Sequence, residues 1–166
     1  MKIGIVYYSR TGNTKQVATM LQEKFKEKKA DVDLIEIEHV KRPGFFAAGK
    51  ASSRQQELPV KNTEFNLGKY DVIIAGSPTW AGKPSPFITT FMKKAENIKG
   101  KKVAVFGTGM SPSDNRGQFI AIFKDLIEKT GAKPVDLILT LTYRKGRLVD
   151  GGQHIDKFVT DVLKLS

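Results

Sequence analysis

The apolar residues of this chain fall into five short runs, separated by segments of helical or polar character. The runs cover residues 3–8, 32–38, 70–76, 102–107 and 134–141, and most of them are nearly continuous. Continuous runs of this length are typical of strands buried on both faces of a parallel sheet. The run at 32–38, VDLIEIE, alternates instead and predicts a half-exposed strand.

Helical spacing of apolar residues fills most of the intervals between these strands. Residues 14–29, 86–95, 118–131 and 154–165 each place their apolar side chains on one face. Strands that alternate with helices predict an α/β fold, a doubly wound three-layer sandwich around a five-stranded parallel sheet. The strand order expected at this length is 2-1-3-4-5. We interpret residues 1–166 as a single domain.

One interval, residues 39–68, does not follow this alternation. It contains a short helical stretch at 45–57 and otherwise has the composition of a loop. Its basic residues are Lys41, Arg42, Lys50, Arg54 and Lys61. A long loop in a compact domain usually acts as a lid or contact surface, and a peripheral cover over the sheet is the alternative. We expect Phe45 and Phe46 to pack inward as part of such a cover; if exposed, they are candidates for a homodimer interface.

Composition narrows the possible chemistry. Apolar residues make up 40% and charged residues 27%, the balance of a soluble protein. No apolar run approaches the roughly 20 residues of a membrane span, and no signal-peptide cleavage site follows the first run, so we expect a cytoplasmic protein. The absence of cysteine excludes disulfides, iron–sulfur clusters and thiol nucleophiles. His39 and His154 stand alone in the sequence, so we expect no metal site.

The formal net charge of +11 is the most unusual property of the composition. Such a charge is consistent with an anionic partner or ligand, and equally with a surface of solvated lysines. No nucleic-acid-binding motif accompanies it, and aromatic residues do not interleave with the basic ones. We therefore do not expect a nucleic-acid binder, whereas an acidic protein partner remains open.

The predicted strand order brings three loops to one crevice. The connections after the first and third strands leave the sheet in opposite directions, and ligands of such sheets bind where the two connections part. The loops that meet there are 9–14, 77–86 and 107–118, and all three are rich in Gly, Ser, Thr and Pro. The sequence therefore predicts a ligand site at the carboxyl edge of the sheet.

The first loop, SRTGNT, opens the first predicted helix. A helix start offers unpaired N–H groups and the positive end of the helix dipole, which together favour a phosphate. Gly12 lets the backbone approach closely, and the side-chain donors are Ser9, Thr11, Asn13 and Thr14. The spacing is neither that of a P-loop nor G-x-G-x-x-G, so a terminal monophosphate fits better than a triphosphate or a dinucleotide. An ordinary N-capped helix is the alternative.

The second and third loops add a flat ring and two glycines. Trp80, the single tryptophan, follows the third strand, where it would stack on a flat ligand; packing in the core is the alternative. The third loop, GTGMSPSDNRG, brings Gly, Ser and Thr to the same crevice. Its Asp114 is interpreted as a helix cap rather than a general acid or base, so no catalytic residue is assigned.

These three loops together resemble the flavodoxin family over essentially the whole chain: SRTGNT after strand one, SPTWAG after strand three and GTG after strand four. The resemblance implies non-covalently bound FMN. Its phosphate would lie on Ser9, Arg10, Thr11, Gly12, Asn13 and Thr14. Its flavin ring would lie among Ser77, Pro78, Thr79, Trp80, Ala81, Gly82, Gly107, Thr108, Gly109, Met110 and Ser111. The Ala81–Gly82 peptide would lie beside the flavin N5 and turn over on reduction.

Two features depart from the family pattern. Flavodoxins are typically acidic, whereas this chain is strongly basic, and residues 107–118 contain no aromatic side chain to cover the second flavin face. The resemblance implies an electron carrier between redox partner proteins. The bare flavin face leaves open an NAD(P)H-dependent FMN or quinone reductase that uses the same cofactor, because nicotinamide must stack on the flavin to transfer hydride. Whether the chain is an enzyme stays open.

Overall fold

A mainly parallel sheet organises the chain in the computed structural model, which describes residues 1–112 and 116–165. In chain order the strands are β1 (Lys2–Tyr7), β2 (Asp31–Glu36), β3 (Phe65–Asn66), β4 (Val72–Trp80), β5 (Lys83–Pro84), β6 (Ala95–Glu96), β7 (Lys102–Gly109), β8 (Lys133–Arg144) and β9 (Arg147–Asp150). The helices are α1 (Asn13–Glu27), α2 (Phe45–Ser53), α3 (Pro86–Lys94), α4 (Gly117–Glu128) and α5 (Ile155–Leu163). The interpretation of Asp114 as a cap lies outside the described residues.

The five predicted strands form the sheet in the predicted order. They run β2-β1-β4-β7-β8 and all pair in parallel. The doubly wound fold is therefore confirmed, but the sheet has more strands than predicted. Strand β9 pairs antiparallel with β8 at the edge, and β5 pairs antiparallel with the end of β4. Strands β3 and β6 pair separately.

Both additional strands of the main sheet follow tight two-residue turns. Ala81 and Gly82 connect β4 to β5 with φ values of 49° and 75°, and Lys145 and Gly146 connect β8 to β9 with 49° and 74°. Two successive residues with positive φ are the pattern of a type I′ hairpin turn, whose twist matches that of the flanking strands. These turns reverse the chain at the carboxyl edge of the sheet.

Two apolar layers cover the faces of the sheet. Side chains alternate along each strand, so that Val6 and Ile73 face one layer while Ile5 and Ile74 face the other. The first layer contains the buried faces of α3 and α4, and the second contains those of α1 and α5. Helices α1 and α3, which follow the neighbouring strands β1 and β4, thus lie on opposite faces, and this opens a crevice between their first turns.

Helix α2 corrects the expectation for the two phenylalanines. Phe45 is 75% exposed and Phe46 is 91% exposed, so the prediction that they pack inward is wrong. The buried face of α2 consists instead of small side chains, Ala48, Ala51 and Ser52. Small residues are required because the helix lies directly against the β4–β5 hairpin, where the Ser52 hydroxyl donates to the carbonyl oxygens of Trp80 and Pro84 at 3.1 and 2.8 Å.

Candidate functional site

A cavity of about 460 Å³ opens at the carboxyl ends of β1, β4 and β7. Its size lies within the roughly 300–1,000 Å³ of small-molecule sites, and its place is the crevice that the strand order predicts. Most of the predicted site residues line it: Arg10, Thr11, Asn13, Thr14, Pro78, Thr79, Trp80, Ala81, Thr108, Gly109 and Met110. The other predicted residues do not line it: Ser9, Gly12, Ser77, Gly82, Gly107 and Ser111.

The first loop is shaped by hydrogen bonds within itself. Gly12 has a φ of 94°, and its carbonyl oxygen accepts the N–H of Gln16 at 2.9 Å, which makes it the N-cap residue of α1. Ser9 Oγ lies outside the cavity lining and accepts the N–H of Lys15 at 3.2 Å. The N–H groups of Asn13 and Thr14 precede the first intrahelical bond, at the positive end of the helix dipole. An anion in the cavity would therefore meet backbone donors at this helix start.

A buried hydroxyl pair joins the first loop to the third. Thr14 Oγ1 lies 2.8 Å from Thr108 Oγ1, and the two residues are only 1% and 3% exposed. Both side chains line the cavity. The pair holds the start of α1 against the end of β7, so the two loops form one continuous wall.

The third loop is held from behind by a buried arginine that the sequence did not indicate. Arg116 is 2% exposed, and its guanidinium donates to the carbonyl oxygens of Gly107, Ser111 and Leu141 at 3.0, 3.0 and 2.7 Å. Burial lowers the pKa of this guanidinium, and the charge of Asp150 opposes that shift. Gly107 and Ser111 thus contribute to the site through their backbone, because Arg116 fixes the loop on which Thr108, Gly109 and Met110 stand.

Trp80 both packs against the core and lines the cavity. Its indole ring is half-buried, packs edge-on against Tyr8 with ring centroids 5.7 Å apart, and also lines the cavity. The guanidinium of Arg10 lies 5.4 Å from the ring centroid, within cation–π distance. Burial raises the pKa of the Tyr8 phenol, and the nearby charges of Arg10 and Arg42 oppose that rise. One side of Trp80 is therefore anchored in the core while the residue still lines the cavity.

The remaining predicted residues of the second loop have structural contacts. Ser77 is fully buried and its Oγ accepts the N–H of Ser85 at 2.9 Å, which fixes the start of α3. Gly82 completes the hairpin turn with Ala81, and a side chain there would be strained at its φ of 75°. These two residues shape the loop that carries Thr79 and Trp80.

Four residues of the lining were not predicted: Phe45, Ala48, Gly49 and Tyr143. Tyr143 stands at the carboxyl end of β8, so its position on the same sheet edge was an available signal. Burial raises the pKa of its phenol. The α2 residues carried no such signal, because the docking of a short helix with small contact residues depends on the tertiary structure alone.

Sequence comparison places this chain in a known family. Residues 1–126 match the family model described as NADPH-dependent FMN reductase. A flavodoxin of Maridesulfovibrio salexigens is 28% identical and the match covers 77% of each chain. Flavodoxin 1 of Escherichia coli K12 is 30% identical over 78% of this chain and 62% of that protein. A flavodoxin of Synechocystis is 30% identical over 86% of this chain and 73% of its own length.

Solved structures show the same fold along the whole chain. A flavoprotein of Lactobacillus acidophilus, in complex with FMN, superposes with a TM-score of 0.69 at 22% identity and covers 95% of this chain and 97% of its own. A flavodoxin from the domain Archaea gives a TM-score of 0.65 at 20% identity, with 99% of both chains covered.

Fold and site therefore define a flavodoxin-like flavoprotein. The chain belongs to the NADPH-dependent FMN reductase family, an FMN-binding family of this fold. The predicted resemblance and the predicted cofactor, FMN, are confirmed. Among the described residues, no helix is long and apolar enough to cross a membrane, and no cluster of three His, Cys, Asp or Glu side chains is placed to hold a metal ion.

Two features of the cavity are compatible with FMN. The first-turn N–H groups of α1 suit a phosphate. Thr79 is a lining residue, and its buried Oγ1 has no hydrogen-bond partner among the described residues. Buried hydroxyls in folded proteins are nearly always hydrogen-bonded, so this group suits a polar atom of a ligand.

Proposed function

We propose that the cavity holds FMN and that the protein transfers electrons between redox partner proteins. The observation that carries this proposal is the exposed outer edge of the cavity. Phe45 and Met110 both line it, yet each is 75% exposed. A ligand ring in the cavity would be reached directly from the protein surface, as transfer between two proteins requires.

In this proposal the residues around the cavity divide by the part of FMN that they hold. Thr11, Asn13 and Thr14 hold the phosphate through hydroxyl, amide and backbone donors at the start of α1. The flavin ring is held between Trp80 and the third loop at Gly109 and Met110. Bound FMN supplies the capacity to accept and release electrons, which the side chains of this cysteine-free chain do not provide.

The chain itself orients and shields the ring. Trp80 and Tyr8 form a rigid apolar wall that excludes water from one side, and Arg116 fixes the loop on the other. The Ala81–Gly82 turn keeps its backbone at the cavity edge, since Ala81 is a lining residue. Ala81 has a φ of 49°, a conformation that costs a non-glycine residue about 1–2 kcal/mol. Strain of this kind is concentrated at functional sites.

A second candidate function is the NAD(P)H-dependent reduction of FMN or a quinone. The description of the matching family supports it, as does the third loop, where the exposed side chain at the cavity is Met110 rather than an aromatic ring. A methionine is flexible and easily displaced, so a nicotinamide or quinone ring has room to stack where an aromatic residue would block it.

One anaerobic experiment separates the two candidates. The protein is loaded with FMN, freed of oxygen and mixed with NADPH and then NADH while the flavin absorbance is followed. For a carrier we expect persistent absorbance that dithionite then bleaches, because a carrier takes its electrons from a protein partner rather than from a nicotinamide. Rapid bleaching by either nicotinamide would contradict the carrier and favour the reductase.

The same proposal includes the assignment of the site residues, the organisation of the chain as one domain and the location of the protein in the cell. We take the chain to work as a single domain in the cytoplasm, where it would exchange electrons with soluble partners. Fractionation of cells that express the protein from its own gene tests the location. Analytical ultracentrifugation tests the homodimer that the exposed Phe45 and Phe46 allow.

A further inference from the structure

An exposed apolar patch borders the cavity. Phe46 is 91% exposed, and Phe45 and Met110 are each 75% exposed. The rings of Phe45 and Phe46 meet edge to face with centroids 6.1 Å apart, so they present one aromatic surface. Large apolar groups that are exposed together in soluble proteins usually mark a binding surface. We therefore expect this patch to bind a partner molecule.

Basic side chains flank the patch on both sides of the cavity. Around α2 they are Lys41, Arg42, Lys50 and Arg54. At the β8–β9 hairpin they are Arg144, Lys145 and Arg147. All of them are exposed. Phe45 and Tyr143 belong to these two segments and line the cavity, so the cations lie in the two segments that border it. We name this surface, the seven cations with Phe45, Phe46 and Met110, the basic rim.

The charge of the basic rim is not neutralised within the part of the chain that the structure describes. None of its cations forms an ion pair there, whereas lysines elsewhere do, as in Lys15 with Glu36 at 2.7 Å and Lys69 with Asp33 at 2.8 Å. The carboxylate nearest in sequence to α2, Glu57, is paired with Lys93 instead. Uncompensated charge of one sign around a recess creates a field that attracts the opposite sign.

We propose that the basic rim is the docking surface for an acidic redox protein, an inference that rests on the electron-transfer function proposed above. An apolar centre with exposed aromatic residues and a charged periphery is the usual anatomy of a protein interface. Complementary charge would steer the partner and fix its orientation. Docking here places the redox group of the partner beside the cavity. A flat anionic membrane would match the charge but not the recess between the two flanks.

The test uses a small acidic plant-type ferredoxin as the probe. It is kept oxidised, so that binding is measured without electron transfer, and titrated calorimetrically into the FMN-loaded protein at low and high salt. We expect an affinity that falls with salt and that is at least about tenfold weaker in the triple variant Lys41→Glu, Arg42→Glu, Lys50→Glu.

A control variant loses the same charge at the opposite edge of the sheet. Lys26, Lys99 and Lys133 are exposed, lie near the amino ends of the strands, and are replaced together by glutamate. This variant should bind the probe within about threefold of the parent protein, since its charges are screened at that distance. Equal weakening in both triple variants would overturn the proposal, because overall charge would then explain the binding.

The aromatic part of the rim is tested by Phe46→Ser. Phe46 does not line the cavity, so FMN affinity should stay unchanged while ferredoxin binding weakens by about tenfold, as expected for an aromatic anchor. Unchanged ferredoxin binding would overturn the apolar part of the docking surface. Flotation with vesicles of phosphatidylglycerol and phosphatidylcholine that requires Phe46, in the absence of ferredoxin binding, would replace the protein partner with a lipid surface.

A second measurement separates this inference from the proposed function. Reduced ferredoxin is mixed with the oxidised FMN-loaded protein, so that each ferredoxin cluster loses one electron to the bound FMN. Salt-dependent binding without transfer would contradict the carrier function and leave the docking surface in place. Transfer at equal rates in both triple variants would support the carrier and overturn the docking surface.

Discussion

Thr14 and Thr108 share a buried hydrogen bond, with their hydroxyl oxygens 2.8 Å apart at the junction of the first and third loops. The two residues are 94 positions apart in the chain. A contact this distant in sequence depends on the alignment of β1, β4 and β7 in the sheet. The site is therefore assembled by the sheet rather than by any single motif.

The hydroxyl pair should behave as one unit in mutagenesis. Thr14→Val or Thr108→Val leaves one buried hydroxyl without its partner, which should lower the free energy of unfolding by about 1–3 kcal/mol. The double variant should lose less than the sum, because no orphaned hydroxyl remains. Urea denaturation of the protein without FMN measures all three. Thr160→Val, at an exposed helix position, is the control. Losses of unfolding free energy that simply add in the double variant would contradict a direct bond between Thr14 and Thr108.

Arg116 should be essential for the third loop. In Arg116→Met the carbonyl oxygens of Gly107, Ser111 and Leu141 lose their donor, and we expect the free energy of unfolding to fall by at least about 2 kcal/mol. Arg116→Lys should not restore this stability, since the ammonium group of lysine cannot donate in the several fixed directions of the planar guanidinium. Hydrogen exchange of residues 107–111 and FMN titration are the measurements. Arg54→Met, on the surface, is the control; equal stability of the two methionine variants would contradict this role.

Trp80 should contribute to FMN affinity through its ring. Trp80→Ala should weaken binding by about 1–3 kcal/mol if the ring stacks as aromatic side chains do on bases. Trp80→Phe should retain part of the affinity, because a ring remains on the Tyr8 wall. Quenching of FMN fluorescence gives the dissociation constants, and circular dichroism checks that each variant is folded. An alanine variant that is folded and binds FMN as well as the parent would return Trp80 to a purely structural role.

Asp33 should contribute to stability in a pH-dependent manner. Lys69 and the Tyr70 hydroxyl bond its carboxylate at 2.8 and 2.9 Å and lower its pKa below the usual value. A carboxyl group whose pKa is lower in the folded state stabilises the fold above its unfolded pKa, about 3.9, and loses this contribution as the pH falls through its folded pKa.

The Asp33 contribution should be small because the pair is partly exposed, about 1 kcal/mol or less. We expect Asp33→Asn to be less stable than the parent protein at pH 7. The difference should shrink only as the pH falls below the unfolded pKa of about 3.9 and through the lower folded pKa, where the parent carboxylate is protonated in the folded state as well. Urea denaturation from pH 3 to pH 7 measures the difference. A difference that does not change with pH would show that the hydrogen bonds, rather than the charge, are responsible.

The five long strands were predictable because most of them are nearly continuous apolar runs and the run at 32–38 alternates as a half-exposed strand does. Their order followed from the doubly wound fold. The additional strands of the main sheet, β5 and β9, were not predicted, since each depends on a two-residue turn. Lys145–Gly146 offered a glycine as a signal, but Ala81 adopts a positive φ that its residue type does not suggest. Such a turn is fixed by the pairing of β4 with β5 rather than by local preference.

The site was predictable where residues follow a strand directly. The carboxyl ends of β1, β4 and β7 meet at one edge, so their loops could be placed together without a structure. Arg116 and α2 could not be placed in this way. The apolar character of Phe45 and Phe46 predicted burial, whereas the space beside the β4–β5 hairpin admits only alanine and serine, which left the larger rings outside.

The Ser52 hydroxyl bonds the carbonyl oxygens of Trp80 and Pro84 and thereby connects the cavity wall to the basic rim. Helix α2 carries Phe46 on its outer side and holds the hairpin of Trp80 on its inner side, so it cannot shift without moving both. Coupling between two binding events is reciprocal. A partner that clamps α2 would therefore raise the affinity for FMN, and the loss of FMN would lower the affinity for the partner by the same factor.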